Sequence, residues 1–230
     1  MSSSSGISLI IPVYDAALYL RQAIDSALNQ TCKPRQVIVV DDGSTDDSLE
    51  IAHSYGDAVT VVQQHHAGSA SARNRGLEEA GEPLVTFLDA DDRLAPDKLE
   101  RQLRALSSRP DAMLCLCRVC DFWSPEIPPI ARRTQKLVPK FRPGQPSTWM
   151  VRREGFQRIG SFNASPDFRF GEGSELYTRI DCAGLEVVRI NEVLVERRLH
   201  AANKTTDSKG HLEGIMALMQ RRLQLRRESA

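Results

Sequence analysis

The sequence contains no run approaching the 18 or so consecutive apolar residues that a membrane-spanning helix needs. Its opening Met1-Ser2-Ser3-Ser4-Ser5-Gly6 lacks the basic and apolar regions of a secretory signal. Both absences lead to the expectation of a soluble, cytoplasmic protein. Charge of one sign is also missing. Lys plus Arg number 30 and Asp plus Glu number 30, so no overall field draws the chain to nucleic acid or to an anionic membrane, although residues 131–158 are locally basic. Nucleic acid is therefore not an expected partner. A disulfide framework is lacking too, because the five cysteines (Cys32, Cys115, Cys117, Cys120 and Cys182) are odd in number and sit in apolar or helical patterns. Cys115, Cys117 and Cys120 are closely spaced, but in a strand the first two face one side and the third the other. No second pair has structural-zinc spacing, so they read as small buried residues. No internal repeat and no sustained heptad is present.

What is present suits one substantial core. The chain has 230 residues, 41% of them hydrophobic, and is expected to form one domain with a less regular second half. Its first half alternates short β-branched runs with amphipathic helical segments, as repeated βα units feeding a parallel sheet require. Strands are expected at Ile7–Val13, 37–40, 59–62, 84–88 and 112–119, with helices near 16–29, after Asp47, over 72–80 and over 94–106. After Trp123 the pattern weakens. Pro125, Pro128, Pro129, Pro139, Pro143 and Pro146 punctuate a segment carrying Arg132, Arg133, Lys136, Lys140 and Arg142, which reads as a long loop. Order returns with a strand at 148–151, an apolar segment at 156–162, a helix near 174–183, strands near 187–190 and 193–197, and a last helix from about His211. The expected class is α/β, a central, mostly parallel but mixed sheet flanked by helices.

The polar clusters follow the carboxyl ends of strands, where ligands bind in open α/β sheets. The most informative is Asp89-Ala90-Asp91-Asp92, directly after the apolar Leu84, Val85, Phe87 and Leu88. Hard oxygen ligands clustered there suit Mg²⁺ or Mn²⁺, which typically bind one or two carboxylates plus substrate phosphates. The same residues would also serve as an acidic turn before the next helix. A second cluster, Asp41 to Asp47, follows the second strand and can cap the helix after it.

Four blocks then resemble, in order, the motifs of family-2 glycosyltransferases of the GT-A fold: Ser8-Leu9-Ile10-Ile11-Pro12-Val13-Tyr14-Asp15, Val39-Val40-Asp41-Asp42-Gly43-Ser44-Thr45-Asp46, Ser71-Ala72-Arg73-Asn74-Arg75-Gly76 and Leu88-Asp89-Ala90-Asp91-Asp92. The resemblance covers roughly 7–205 and is tight to about 107. It implies a nucleotide-sugar donor, usually UDP-linked, a divalent cation (Mn²⁺ or Mg²⁺), and transfer to an acceptor that the sequence does not identify. The donor would bind within 7–107, the acceptor and catalytic half would span 108–205, and a carboxyl-terminal helix would occupy 206–230. On the family's pattern Pro12, Val13, Tyr14 and Asp15 border the nucleobase, Asp41 or Asp42 contacts it, and Arg73 lies near it. Asp89 and Ala90 approach the ribose, and Asp91 binds the metal.

For the base that accepts the acceptor's proton, the relevant segment is Glu172-Gly173-Ser174-Glu175. Gly173 stands where the family's commonest pattern has an aspartate. A variant register puts Glu175 in its place, so Glu175 is the expected general base and Glu172 the second candidate, although both glutamates would also favour a helix amino terminus. Arg197-Arg198-Leu199-His200-Ala201-Ala202-Asn203 resembles the family's late Arg-x-His-x-x-Asn element, which implies that His200 reaches the metal or the diphosphate. His65 and His66 have weaker claims, and Trp149 is a weak candidate for stacking on an acceptor sugar. Two other readings remain open: a donor-binding protein without turnover, suggested by Gly173, and a nucleotidyltransferase. The latter usually wants a Gly-rich, basic loop after the first strand, which Pro12-Val13-Tyr14-Asp15 does not supply.

Overall fold

A computed structural model of the chain describes residues 6–132, 137–169, 171–200 and 208–228. Its strands are β1 (Ile7–Val13), β2 (Gln36–Asp41), β3 (Thr60–Gln63), β4 (Leu84–Phe87), β5 (Arg93–Leu94), β6 (Leu114–Trp123), β7 (Lys140–Phe141), β8 (Trp149–Arg152) and β9 (Val187–Leu199). Its helices are α1 (Ala17–Leu28), α2 (Ser48–His53), α3 (Ser69–Glu79), α4 (Lys98–Ser107), α5 (Glu154–Ile159), α6 (Glu172–Cys182) and α7 (Ser208–Glu228). Among the described residues no helix is long and apolar enough to cross a membrane.

One nine-stranded sheet runs through both halves in the order β3-β2-β1-β4-β8-β6-β9-β5, with β7 added against β6. The pairs β1–β2, β1–β4 and β2–β3 are parallel, whereas β8 enters antiparallel between β4 and β6. Because helices cover both faces of the first half, β1 is buried along its whole length and reads as a continuous apolar run. Leu9 and Ile11 pack on the side of Leu20 and Ile24 of α1, and Ile10 packs on the other side with Ala72 of α3. A Cβ at Gly76 would lie 2.4 Å from Ile10 Cγ2, so glycine is what lets α3 approach β1 this closely.

The structure departs from expectation in three places. The two strands expected near 187–190 and 193–197 are one strand, β9, which stays parallel to β6 across exposed Asn191 and Glu192 because irregularities around Arg118 absorb the shift in register. Leu94, expected to open a helix, instead joins Arg93 in β5 against β9, and α4 starts at Lys98. The apolar segment near 156–162 is the short helix α5, ended at Gly160 in the left-handed region, φ 76°. All five cysteines are free thiols, with Cys115 and Cys117 buried.

Candidate functional site

The loops after β1 and β2 hold each other in place through side-chain caps. Asp15, at φ 46°, accepts from Thr45 N at 2.7 Å and also from Asp46 N, while Asp46 Oδ2 and Ser48 Oγ accept from Ala17 N and Ala16 N at the start of α1, both at 2.9 Å. These bonds satisfy donors that a helix amino terminus leaves open. Asp15 is therefore a clamp between loops that fixes the edge formed by Pro12, Val13 and the half-exposed Tyr14, and its carboxylate already carries protein donors.

Asp41 and Asp42 are both buried but are occupied differently. Asp42 is saturated by the β3–α3 connection: Gln64 Nε2 (2.6 Å) and Ala67 N (2.9 Å) donate to Oδ1, and Gly68 N (2.8 Å) donates to Oδ2, with His66 Nδ1 3.0 Å from Oδ2. Among the described residues the Asp41 carboxylate has only two long contacts of 3.4 Å from Ser44 N. Of the two, Asp41 keeps acceptor capacity for a ligand. His66 also lies against Tyr14, ring centroids 4.0 Å apart, which ties this histidine to the same edge. His65 is exposed.

At the end of β4 the three carboxylates face three different partners. Asp89 is held by Ser147 Oγ, which accepts from its N–H at 3.0 Å, and by Arg73 Nη2 at 2.6 Å from Oδ1. Asp91 Oδ2 lies 2.9 Å from His200 Nε2, both side chains being partly exposed. Asp92 is buried and accepts from Arg198 N at 2.9 Å and Gln145 Nε2 at 3.1 Å. Burial, then the charges of Asp91 and Asp89, push the Asp92 carboxyl well above the usual carboxylate range. Behind the triplet, buried Arg198 lies between the rings of Tyr19 and Phe122, 4.7 Å from each centroid, and donates to Asp91 O at 2.9 Å, to Gln22 Oε1 at 2.7 Å and to Ser124 Oγ at 3.3 Å. Tyr19 in turn packs on His200, centroids 4.7 Å apart. Asn203 of the late element lies outside the described residues, as do Arg133 and Lys136 of the basic loop.

The two glutamates of α6 part company. Glu172 Oε1 accepts from Arg73 Nη1 at 2.8 Å and from Ser69 Oγ at 2.6 Å, so Arg73 joins it to Asp89 across the site. Burial opposes the charge on Arg73, but Asp89 and Glu172 more than offset this and hold its pKa above the ordinary value. Arg73 is thus a buried strut that bridges these two carboxylates. Glu175 points elsewhere. It is 1% exposed, takes Arg179 Nε at 3.0 Å on both oxygens and Arg179 Nη2 at 2.7 Å, and lies 3.5 Å from Arg221 Nε of α7. A Cβ on Gly173 would come within 2.3 Å of Gly144 O and 2.9 Å of Pro146 Cδ, so the 144–146 segment fills the space that an aspartate would need.

The Asp91–His200 pair is the part of the site that can hold a cation. Among the described residues no three His, Cys, Asp or Glu side chains converge, which fits an ion that takes most of its oxygens from a substrate. A carboxylate oxygen and an imidazole nitrogen are suitable donors, and their 2.9 Å separation matches adjacent ligands on an ion bound at about 2.1 Å. Trp149 plays no part at the surface. It is fully buried, donates Nε1 to Pro143 O at 2.8 Å and stacks on Phe162 at 6.1 Å, so it is a core anchor that cannot stack on a sugar. Sequence reading missed Ser69, Gln145 and Ser147, isolated polar residues whose spacing carried no signal, and it quoted Arg198 only as part of the element containing His200.

The family model for glycosyl transferase family 2 matches residues 8–171. An uncharacterized glycosyltransferase, RP339, of Rickettsia prowazekii (strain Madrid E) is 32% identical over 219 residues, covering 90% of this chain and 68% of its own length. One from Haemophilus influenzae (strain ATCC 51907 / DSM 11121 / KW20 / Rd) is 48% identical over 101 residues, 42% of this chain and 40% of its own. Among solved structures, S. aureus TarS 1–349 in complex with UDP-GlcNAc superposes with a TM-score of 0.73 at 16% identity, over 94% of this chain and 66% of that one. The mannosyltransferase PcManGT from Pyrobaculum calidifontis in complex with GDP-Man and Mn²⁺ gives 0.71 at 19%, over 93% and 64%. The chain thus spans just under two thirds of these two solved chains, and at such identities the likeness is one of fold. With a family match across most of its length and a relative 32% identical over 90% of it, this chain belongs to glycosyltransferase family 2 and has the GT-A fold.

Proposed function

We propose that the chain is the catalytic domain of a metal-dependent, inverting glycosyltransferase that uses a nucleoside diphosphate sugar, UDP-linked in the first instance. The observation that carries this reading is the Asp89–Arg73–Glu172 bridge, which joins a carboxylate of the donor side to one at the start of α6 and lies beside a carboxylate–imidazole pair. The nucleobase would rest against Pro12, Val13 and Tyr14, with Asp41 accepting from a ring N–H such as that of uracil. Asp89, with Ala90, would face the ribose. Asp91 and His200 would hold Mn²⁺ or Mg²⁺, which when bound neutralises charge growing on the departing diphosphate.

Glu172 is the better placed general base. Arg73 and Ser69 both hold its Oε1, which orients the carboxylate and leaves Oε2 to receive a proton. The acceptor oxygen would form its bond to the anomeric carbon on the face opposite the leaving phosphate oxygen, give its proton to Glu172, and so invert the anomeric configuration in one displacement. Glu175, the base expected from sequence, would stabilise the α6–α7 packing through Arg179 and Arg221.

The test is incubation with UDP- and GDP-sugars, with Mn²⁺ and with chelator, recording nucleotide binding and nucleotide release. Metal-dependent binding with slow release to water supports the reading. A protein that binds no nucleoside diphosphate with manganese present is not this enzyme, and one that binds without release under any acceptor is a donor-binding protein.

A further inference from the structure

Beyond β4 the same sheet carries a second concentration of charge, opposite in sign to the acidic triplet. Asp121, near the end of β6, accepts from Arg142 Nη2 at 2.6 Å and lies 3.5 Å from Arg197 Nη1 and 3.8 Å from Lys140 Nζ. Three cations share this one carboxylate, whose side chain is 10% exposed. Burial and the neighbouring Arg197 hold the Arg142 guanidinium below its ordinary range, against the pull of Asp121 and Asp92. Arg142 Nε is buried without a hydrogen-bond partner among the described residues, while 27% of that side chain and 45% of Lys140 stay open to solvent. A salt bridge fixing β7 to β6 requires one cation, and the 140–142 segment alone supplies two, Lys140 and Arg142.

The cluster's place in the sheet says what it faces. The nucleobase loops follow β1 and β2, the triplet follows β4, and β6 and β9 lie beyond β8, so the cations are on the far side of the triplet from the base. Gln145 joins the two regions, donating Nε2 to Asp92 Oδ2 at 3.1 Å and its N–H to Arg142 O at 2.9 Å. With a donor laid along β1 to β4, the side left for an acceptor is this one.

We propose that Arg142, Arg197 and Lys140 form an oxyanion subsite for the acceptor, which therefore carries a phosphate ester or carboxylate close to its attacking hydroxyl. This rests on the donor reading given above. Planar guanidinium groups match such oxyanions with two parallel hydrogen bonds, and Lys140 adds a point charge.

Glycerol 3-phosphate, titrated into the full chain saturated with UDP and Mn²⁺, is the probe. The expected result is saturable binding that glycerol lacks, that weakens with salt, and that falls about tenfold in Arg142→Gln and less in Lys140→Gln, the order expected for loss of one partly buried charge. Asp121→Asn should tighten it several-fold, a change in sign that damage to the fold cannot produce. Glycerate in place of glycerol 3-phosphate tells a carboxylate from a phosphate preference, and stronger binding of either fits the proposal. Absence of saturable binding, equal binding in Arg142→Gln, or a matching loss of UDP affinity in that variant would each overturn it, the last because the cations would then serve the donor's diphosphate. Arg142-dependent binding of glycerol 3-phosphate by a chain that takes no nucleotide would instead keep the subsite and overturn the donor reading.

Discussion

The assignment of Glu172 over Glu175 is best tested by changing each to glutamine and separating stability from turnover. Glu175 is essentially inaccessible and carries three hydrogen bonds from Arg179 as well as the nearby Arg221. Removing one partner of a buried pair costs about 3–5 kcal/mol. Here the lower end applies, because Arg179 also donates to Ile159 O and to Ser161 O, and Arg221, 29% exposed, can turn to water. About 3 kcal/mol corresponds to a fall in Tm of roughly 6–12 °C for a chain of this size. Glu172→Gln keeps an amide oxygen that can accept from Arg73 and Ser69 but loses the charge that strengthens both bonds, at a partly open site where Arg73 keeps Asp89, so about 1–2 kcal/mol is expected. Turnover should separate the two in the opposite sense, with Glu172→Gln losing about 10²- to 10⁴-fold in kcat at little change in donor affinity. Glu175→Gln, assayed well below its own Tm, should stay within a few-fold of wild type. Thermal melts, nucleotide binding and nucleotide release on the same preparations decide it. A Glu175→Gln protein that melts within 2 °C of wild type yet does not turn over would refute the reasoning, as would a fully active Glu172→Gln.

Asp91→Ala and His200→Ala should each weaken Mn²⁺-dependent UDP binding by about tenfold or more and leave the weaker metal-free binding unchanged, as calorimetry with and without EDTA would show. Asp42→Ala should cost about 2–4 kcal/mol in urea unfolding, since it strands the buried donors of Gln64, Ala67 and Gly68. Gly173→Asp, although it restores the family's commoner pattern, should lower stability by several kcal/mol and activity with it, because its side chain would meet Gly144 O and Pro146; a stable, faster variant would contradict the packing account. Lys98, fully buried against Thr86 Oγ1 and Trp149 O, is pushed down by burial to about 8 from 10.5, so its contribution to stability is fully present above about pH 10.5 and is lost, by roughly 3 kcal/mol, as pH falls through 8. The difference between wild type and Lys98→Met in urea titrations over that window should show this rise, because the opposite fall from the thiols of Cys115 and Cys117, which burial raises to about 12 and about 11, is shared by both proteins apart from the part due to the Lys98 charge itself.

Most of the first half was legible because both signals there are local. Continuous β-branched runs such as Val37–Val40 mark strands covered on both faces, and polar clusters after them mark the strand ends, so Asp41, Asp89 and Asp91 could be placed without any tertiary information. The second half resisted for a physical reason. Its order, like that of β5 near the end of the first half, depends on partners distant in sequence: Arg93 and Leu94 pair with Glu196 and Val195, and Trp149, exposed or buried with equal ease on sequence grounds, is buried because Phe162 and Pro143 cover it.

The same distinction explains which site residues could be read and which could not. A motif reports that a carboxylate is present, but whether it is free for chemistry is decided by the cations the fold brings to it. Glu172 and Glu175 are three residues apart and the motif register favoured Glu175, yet α3 supplies Arg73 to Glu172, while α6 itself and α7 supply Arg179 and Arg221 to Glu175. Asp41 and Asp42 are adjacent, yet the turn after β3 consumes only Asp42. Arg198 acts at one further remove. It touches the carbonyl of Asp91 and the ring of Tyr19, which packs on His200, so it fixes both members of the pair that can hold the cation. In each case the carboxylate's freedom is decided by hydrogen-bond donors that the fold sets against it, Arg73 on Glu172, Arg179 and Arg221 around Glu175, and the 64–68 segment on Asp42.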